Sequence, residues 1–202
     1  NNAVVFVNER HASLLKQLAF SIARDYGWKD FYKPKTKRII PMSAKELEEY
    51  KGEYVSDPEV SVFIDYDSDG VYAGVSGQSW YYIFPEAKDR FFGQVKEVEL
   101  EFVRTNYAVN KLIYKVDGQS YELKKTIALS DNELSEYVGE YVLNDTSKVL
   151  LTKQGNRIQV KSGGHTIYMF PEIKDNFFMT NSDAKVEFIR TNNVVNKLIY
   201  KI

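Results

Sequence analysis

The sequence predicts a mainly β protein with two tandem antiparallel barrels, preceded by a short strand and an amphipathic helix. An internal repeat is the first observation: RTNYAVNKLIYK at 104–115 recurs as RTNNVVNKLIYK at 190–201. Turn signals every ~8–12 residues between alternating apolar and polar positions are the second, and they are typical of antiparallel barrels. The aromatic content of 14% is the third, because aromatic residues favour sheets over helical bundles.

The spacing between the two copies defines the predicted domain organisation. It is too long for a solenoid repeat and fits a small domain. We predict a strand and helix over 1–32, a linker over 33–41, a first barrel over 42–128 and a second barrel over 129–202. Barrels are preferred to open sheets because closure removes exposed sheet edges.

The segment before the repeats combines three patterns. Ala3–Val7 is a continuous apolar run, as in a strand buried on both faces. Apolar residues recur at helical spacing over Ala12–Tyr26, and Gly27 is a suitable helix end. Lys33–Arg38 is basic, but we interpret it as a solvated linker rather than a nucleic-acid patch because the whole chain has a net charge of −1.

Each repeat is predicted to open with a short helix. Ser43 is followed three residues later by Glu46, and Ser130 by Glu133. This spacing matches the capping box, in which the hydroxyl and the carboxylate accept hydrogen bonds from backbone N–H groups at the start of a helix.

About eight short strands are predicted to follow in the first repeat, and most of them are recognisable individually. They are Val60–Tyr66, Val71–Val75, Trp80–Phe84, Arg90–Val95, Val98–Val103, Val109–Val116 and Tyr121–Thr126. The strands predicted in the second repeat are Val149–Lys153, Arg157–Lys161, His165–Phe170, Asn176–Thr180, Lys185–Arg190 and Val194–Ile202. Nothing in the second repeat corresponds to Tyr121–Thr126. The second barrel is therefore either seven-stranded or completed by another segment, such as Ala3–Val7 of this molecule or a neighbour.

Large side chains are predicted to fill the barrels and to leave no cavity for a ligand. The residues expected inside are Tyr72, Tyr82, Phe102, Tyr114, Phe188 and Tyr200. Phe91-Phe92 and Phe177-Phe178 recur in both copies, which favours a core role for them as well.

Two short segments match the residue patterns of motifs in penicillin-recognising enzymes. Ser13-Leu14-Leu15-Lys16 fits Ser-x-x-Lys, and Ser130-Asp131-Asn132 fits the second motif. The third motif is absent, since Lys125-Thr126 is followed by Ile127 rather than Gly, and no Tyr-x-Asn occurs. We interpret the first match as chance and the second as a helix cap.

Candidate metal ligands form a weak pattern. Asp65, Asp67 and Asp69 resemble the first half of a calcium loop, but the twelfth position is Ser76, where a bidentate Glu is required. A solvated hairpin tip is the favoured interpretation. The only histidines, His11 and His165, lie in different segments, so we expect surface positions for both.

Two further sets of residues have a functional and a structural interpretation. Trp80, Tyr81 and Tyr82 could stack on a sugar or a base, although aromatic residues in an alternating strand more often fill a barrel and its rim. Arg104 and Arg190 precede Thr-Asn in both copies. A shared structural hydrogen bond explains that recurrence better than two identical sites.

Composition excludes several classes of function. The net charge of −1 provides no long-range field for nucleic acid. The absence of Cys excludes disulfides and thiolate metal sites, and no apolar run reaches the ~18–20 residues of a membrane span. The chain begins with Asn rather than Met, so we expect it to be a part of something longer.

Two stretches carry a resemblance to a known family. Val4–Glu9, the helix after it and Asp25–Phe31 resemble the closing strand and C-terminal helix of serine beta-lactamase-related, penicillin-binding-like hydrolases. Leu47–Tyr54 and Leu134–Tyr141, with the pattern Leu-x-x-Tyr-x-Gly-x-Tyr, look like the lipocalin-like barrels appended to those enzymes. No catalytic residue can be carried over, because the nucleophile, the general-base motif and the Lys-Thr-Gly strand are all absent.

The resemblance implies a non-catalytic role in an exported, periplasmic or extracellular hydrolase. The barrels would pack on the catalytic domain of the parent enzyme and shape access to its cleft, with no cofactor. Self-association through the N-terminal strand and helix is a further expectation. The alternative is a carrier module that holds a small apolar ligand inside a barrel. An independent enzyme would need convergent titratable groups, and the sequence offers none that can be assembled.

Overall fold

The computed structural model describes residues 12–28, 37–93, 97–144, 147–162, 164–180 and 182–201. The chain divides into two compact units, Asn1–Ile39 and Ile40–Ile202. In the first unit, helix α1 spans Ala12–Asp25. Gly27 follows it with a φ of 65°, a conformation that ends helices and suits glycine. The predicted strand at Ala3–Val7 and residues 33–36 of the predicted linker lie outside the described residues.

The first repeat is a closed barrel of eight antiparallel strands. It begins with a short helix, α2 (Ala44–Glu48). The strands are β1 (Gly52–Asp57), β2 (Val60–Tyr66), β3 (Val71–Val75), β4 (Tyr81–Ala87), β5 (Arg90–Gly93), β6 (Val98–Thr105), β7 (Ala108–Val116) and β8 (Gln119–Thr126). Each strand pairs with the next one along the chain. Pairing of β8 with β1, with Tyr54 opposite Lys125, closes the barrel.

The second repeat has the same order, and its described residues include no counterpart of β8. It begins with helix α3 (Asp131–Ser135). Its strands are β9 (Gly139–Asn144), β10 (Ser147–Gln154), β11 (Arg157–Ser162), β12 (His165–Ile173), β13 (Asn176–Met179), β14 (Lys185–Thr191) and β15 (Val194–Lys201). They form a nearly closed seven-stranded sheet with β9 and β15 at its two edges. The prediction of two tandem antiparallel barrels is therefore confirmed, and seven strands of the second lie within the described residues.

Both helices that open the repeats have the predicted caps. Ser43 accepts a hydrogen bond from the Glu46 N–H, while the Glu46 carboxylate accepts one from the Ser43 N–H. Ser130 and Glu133 make the same pair of bonds. The helices in the described part of the chain are all too short, or too polar, to cross a membrane.

The barrel interiors are filled as predicted, with three exceptions. Phe102, Tyr114 and Phe188 are buried in their cores. The predictions for Tyr72, Tyr82 and Tyr200 were wrong. Tyr72 and Tyr82 point outward because they alternate with the buried residues of β3 and β4. Tyr200 is 51% exposed because the described residues contain no strand that covers it from beyond β15.

Both Phe-Pro pairs lie within a strand rather than at its end. The strand predicted over Trp80–Phe84 stops before Pro85, but β4 continues to Ala87 through an irregularity in the pairing between Pro85 and Ala87. Proline is tolerated at such a bulge. The carbonyl of Pro85 accepts a hydrogen bond from the Ile40 N–H at 2.9 Å, and that of Pro171 accepts one from the Ile127 N–H at 2.9 Å. The leading segment of each repeat is thus tied to its own barrel.

An apolar contact joins the two barrels. Val55 on the outer face of β1 packs with Phe170 and Phe178 of the second repeat, and all three are buried. Around them, Arg157 donates to the Pro58 carbonyl, and the Asn156 amide donates to Glu53 Oε2 at 3.3 Å. The outer face of the first barrel is therefore packed against the second.

Candidate functional site

Each barrel contains one cluster of Tyr, Asp and Arg side chains. In the first barrel, Asp89 lies in the turn between β4 and β5 with a φ of 63°. Its carboxylate accepts hydrogen bonds from Arg104 Nε at 2.8 and 3.0 Å and from the Tyr50 hydroxyl at 2.9 Å. Arg104 also pairs with Glu49 at 2.6 Å and donates to the Tyr107 carbonyl at 2.8 Å. One guanidinium thus joins the opening helix, the β4–β5 turn and the β6–β7 turn.

The second barrel repeats this cluster. Asp175 accepts from Arg190 Nε at 2.8 and 3.0 Å and from the Tyr137 hydroxyl at 2.9 Å. Arg190 pairs with Glu136 and donates to the Asn193 carbonyl at 3.2 Å. The interpretation of Arg104 and Arg190 as a shared structural bond is confirmed.

Hydrogen bonds and burial fix the ionisation states of the side chains in the first cluster. Burial acts to raise the pKa of Asp89, but hydrogen bonds from Arg104 and Tyr50 outweigh it and lower that pKa. Hydrogen bonds to Asp89 raise the pKa of Arg104, and burial raises the pKa of Tyr50. At neutral pH the carboxylate is ionised and the phenol is neutral, so neither is poised to exchange a proton with a substrate.

A groove of about 500 Å³ lies between the first barrel and the start of the second repeat. Its walls combine aromatic, aliphatic and charged side chains. They belong to Lys51, Glu53, Phe63, Ile64, Asp65, Trp80, Thr126, Ala128, Leu129, Asp131, Leu134 and Asn156, with the backbones of Gly52 and Gly155. The charged groups are partnered: Lys51 pairs with Asp65 at 2.8 Å, and Glu53 accepts from the Ser61 hydroxyl at 2.8 Å. Such a groove can bind a ligand or a partner, but it does not assemble a nucleophile with a base.

The three consecutive aromatic residues are not brought together. Trp80 lies on the outer face, 54% exposed, with its ring 6.3 Å from that of Phe63. A Cβ at Gly74 would lie 2.8 Å from the Trp80 ring, so glycine is needed beneath it. Tyr82 is also exposed and packs on Tyr72 at 4.7 Å.

Tyr81 cannot stack on a ligand together with Trp80 and Tyr82. Its side chain is buried inside the first barrel, where its hydroxyl lies 3.1 Å from that of Tyr114. Alternation along β4 places its neighbours on the opposite face. Only Trp80 and Tyr82 remain as candidates for contact with a ligand or partner, and only Trp80 lines the groove.

The predicted carboxylate ligands form a hairpin tip. Asp67 accepts hydrogen bonds from the N–H groups of Asp69 and Gly70 and from the Tyr72 hydroxyl. Asp65 accepts from the Tyr66 N–H and pairs with Lys51. Among the described residues, no three His, Cys, Asp or Glu side chains are grouped so that they could hold a metal ion.

The remaining candidates from the sequence carry no site within the described residues. His165 is exposed at the start of β12, and His11 lies outside the described residues. The side chains of Ser13 and Lys16 are likewise not described. Ser130 caps α3, as interpreted from the sequence.

Sequence reasoning missed two residues that shape this region. Asn156 donates to Glu53 and to the Ile127 carbonyl, and accepts from the Leu129 N–H. Its counterpart in the first repeat is Gly70, and this departure from the repeat was the available signal. Lys125 donates to the Glu49 carbonyl at 2.8 Å, and burial lowers its pKa. It belongs to β8, so the described second repeat has no counterpart.

Comparisons with protein-family models and with curated proteins return no significant match to this chain. The resemblance to serine hydrolases therefore depends on the residues of the sequence alone.

Proposed function

We propose that the chain is a non-catalytic accessory part of an exported serine hydrolase of the beta-lactamase-related family. In this role the barrels pack on the catalytic domain and shape access to its cleft. The observation that carries the proposal is the duplication itself: the ionisable clusters of Asp89 and Asp175 make matching internal bonds, as scaffolds do. A catalytic site would more often have diverged in one copy.

The packing of the interiors favours this role over that of a carrier. In the first barrel, Tyr50, Phe91 and Phe102 meet with ring centroids 4.8–5.4 Å apart, and Tyr81 reaches Tyr114. The groove beside Trp80 lies outside the barrel interiors, as does a second groove of about 300 Å³ lined by Val55, Glu122, Lys124 and Thr180. A carrier would need room for a ligand among these side chains.

The outer surface supplies the contacts that the proposal needs. Trp80 and Tyr82 are exposed on the first barrel, and Trp80 borders the groove. Exposed aromatic rings with polar neighbours are common at protein interfaces. We assign the contact with the catalytic domain to this face.

The test begins with the reading frame upstream of Asn1, where the proposal predicts Ser-x-x-Lys and Tyr-x-Asn motifs. The encoded catalytic domain is then assayed with and without the present chain supplied in trans. We expect binding and a changed ratio of kcat/KM between small and large substrates. A frame without these motifs, or a catalytic domain that neither binds the chain nor changes its substrate range, contradicts the proposal.

Surface variants sharpen this test. Trp80→Ala is expected to weaken binding roughly tenfold or more, as interface aromatic residues do. Tyr107→Asn is the matched control, because Tyr107 is exposed in the β6–β7 turn away from the groove. Equal binding by both variants would remove this face from the proposal.

A further inference from the structure

The groove beside Trp80 has an aromatic platform on its floor. The floor is the outer face of β2 and β3, where Phe63 and Gly74 lie opposite each other. The Trp80 ring lies directly over Gly74, since a Cβ at that position would lie 2.8 Å from the ring. Although glycine supports the ring from beneath, the side chain is still more than half exposed and borders the groove. Trp80 therefore presents open aromatic surface on which a ligand can stack.

Hydrogen-bonding groups lie beside this platform. Asp65 follows Phe63 on the same face of β2 and pairs with Lys51 at 2.8 Å, and both charged side chains are nearly half exposed. On the side of the second repeat, the Asn156 amide donates to Glu53 Oε2 at 3.3 Å. These bonds orient the side chains, and the exposed ammonium and carboxylate groups can still donate to and accept from a ligand.

The second repeat shows that the fold does not require the platform. It pairs Leu150 with Lys161 where the first repeat pairs Phe63 with Gly74. The residue opposite Lys161 on the next strand is Thr166 rather than a tryptophan. By contrast, the Tyr, Asp and Arg side chains of the structural clusters recur in both copies. The tryptophan and the glycine beneath it occur together in the first copy alone, so a role beyond stability accounts for them best.

The charges in the groove restrict the class of ligand. Among the described residues that line it, Glu53, Asp65 and Asp131 are acidic and Lys51 is basic. This excess of negative charge disfavours an anionic ligand such as a nucleotide. A cation would have to compete with Lys51 for Asp65, and a wholly apolar ligand would leave polar groups desolvated without partners. A neutral molecule with one apolar face and several hydroxyl groups fits better than any of these.

We propose that the groove is a binding site for a neutral saccharide. The apolar C–H face of one sugar ring stacks on Trp80. Its hydroxyl groups, which both donate and accept, bond to Asp65 and Lys51. The groove volume of about 500 Å³ lies within the range of small-molecule sites, ~300–1,000 Å³. The site does not depend on the proposed hydrolase partner, because all of its residues belong to the present chain.

Fluorescence provides the first test, because the chain has two tryptophans. In the Trp28→Phe protein, Trp80 is the remaining tryptophan, so its emission reports on the groove. The probes are three neutral trisaccharides: cellotriose, maltotriose and fully N-acetylated chitotriose. We expect a saturable change in emission with at least one of them. No change with any of the three at millimolar concentration overturns the proposal.

Variants of the full chain test the stacking contact. Trp80→Ala is expected to weaken binding of the best trisaccharide roughly tenfold or more, as is Gly74→Val, which adds a side chain beneath the ring. Tyr82→Ala is the matched control, because Tyr82 is an exposed aromatic residue of the first barrel outside the groove. Calorimetric titration measures affinity, and circular dichroism checks folding. Unchanged binding by Trp80→Ala, or equal weakening by Tyr82→Ala, overturns the proposal.

Charged probes test the selection for a neutral ligand. Trigalacturonate and trilysine are each expected to bind the full chain at least roughly fivefold more weakly than the best neutral trisaccharide. Asp65→Ala should weaken binding of that trisaccharide by a similar factor, since it removes a charged acceptor. Tighter binding of either charged probe overturns the proposal, because the groove would then be an anion or a cation site. These assays contain no catalytic domain, so their failure is distinguishable from failure of the proposed function.

Discussion

Arg104 and Arg190 show how much of each barrel depends on a single side chain. Each guanidinium is 18% exposed and bonds an aspartate, a glutamate and a backbone carbonyl from three separate segments. Bidentate, charge-assisted hydrogen bonds of this kind are stronger than neutral ones. The sequence indicated that these residues are structural, but their partners Asp89 and Asp175 could be identified only from the fold.

Replacing Arg104 tests this role. Arg104→Ala leaves the partly buried Asp89 carboxylate without its counter-ion, so we expect a loss of about 2–3 kcal/mol in the free energy of unfolding. Arg190→Ala should cost a similar amount. Arg90→Ala is the control, because within the described part of the chain Arg90 makes an exposed ion pair with Glu86, and its loss should cost less than about 0.5 kcal/mol. Urea unfolding measures all three, and equal losses would contradict the role.

The same cluster predicts a dependence of stability on pH. The pKa values of Asp89 and Asp175 are lowered in the folded protein, so their contribution is present above the ordinary value near 3.8 and is lost as pH falls through the lowered values. Asp89→Asn should therefore be less stable at pH 7 but lose less stability between pH 7 and about pH 2. Urea midpoints across that range provide the measurement. An unchanged pH profile in the variant would count against the assignment.

At the scale of elements, the repeat predicted most strands and missed β1 and β9. Both follow the opening helices directly, and their Gly-Glu-Tyr-Val sequences are too short to show alternation. The irregular pairing at Pro85 and Pro171 was missed for a physical reason: proline is read as a strand end, yet it fits a bulge. The exposure of Tyr200 was also missed, although the sequence indicated that the second barrel is either seven-stranded or completed by another segment.

Matched leucines test the open edge. Leu112→Ala should cost about 3 kcal/mol, because a fully buried leucine leaves a cavity. Leu198→Ala, at the same position of the second repeat, should cost about half as much because the side chain is only partly buried. Chemical unfolding followed by circular dichroism measures both losses. Equal losses would mean that Leu198 is as well covered as Leu112.

At the scale of the whole molecule, contact between the barrels depends on an outer face that the repeat alone does not reveal. Val55 and Val142 occupy the same position in their copies, yet they are 1% and 66% exposed. The sequence pattern does not distinguish the two valines, because the difference in their exposure depends on which residues of the fold pack against each of them. The barrel contact was therefore beyond prediction from sequence patterns.

These two valines provide a matched prediction. Val55→Asp places a charge among Phe170 and Phe178, so we expect the unfolding temperature to fall by roughly 5–10 °C. Val142→Asp should change it by less than about 2 °C. Differential scanning calorimetry makes the comparison. A small effect at Val55 would mean that the barrels are not held together by this contact.

The central claim is that one module occurs twice, closed in the first copy and, within the described part of the chain, open between β9 and β15 in the second. Residue-resolved hydrogen exchange tests it most directly, since successive amides of a strand point to alternate neighbours. The account predicts protection of nearly all amides in β7, and alternation in β15 between protected amides facing β14 and rapidly exchanging amides at the open edge. Uniform protection along β15, equal to that of β7, would contradict it.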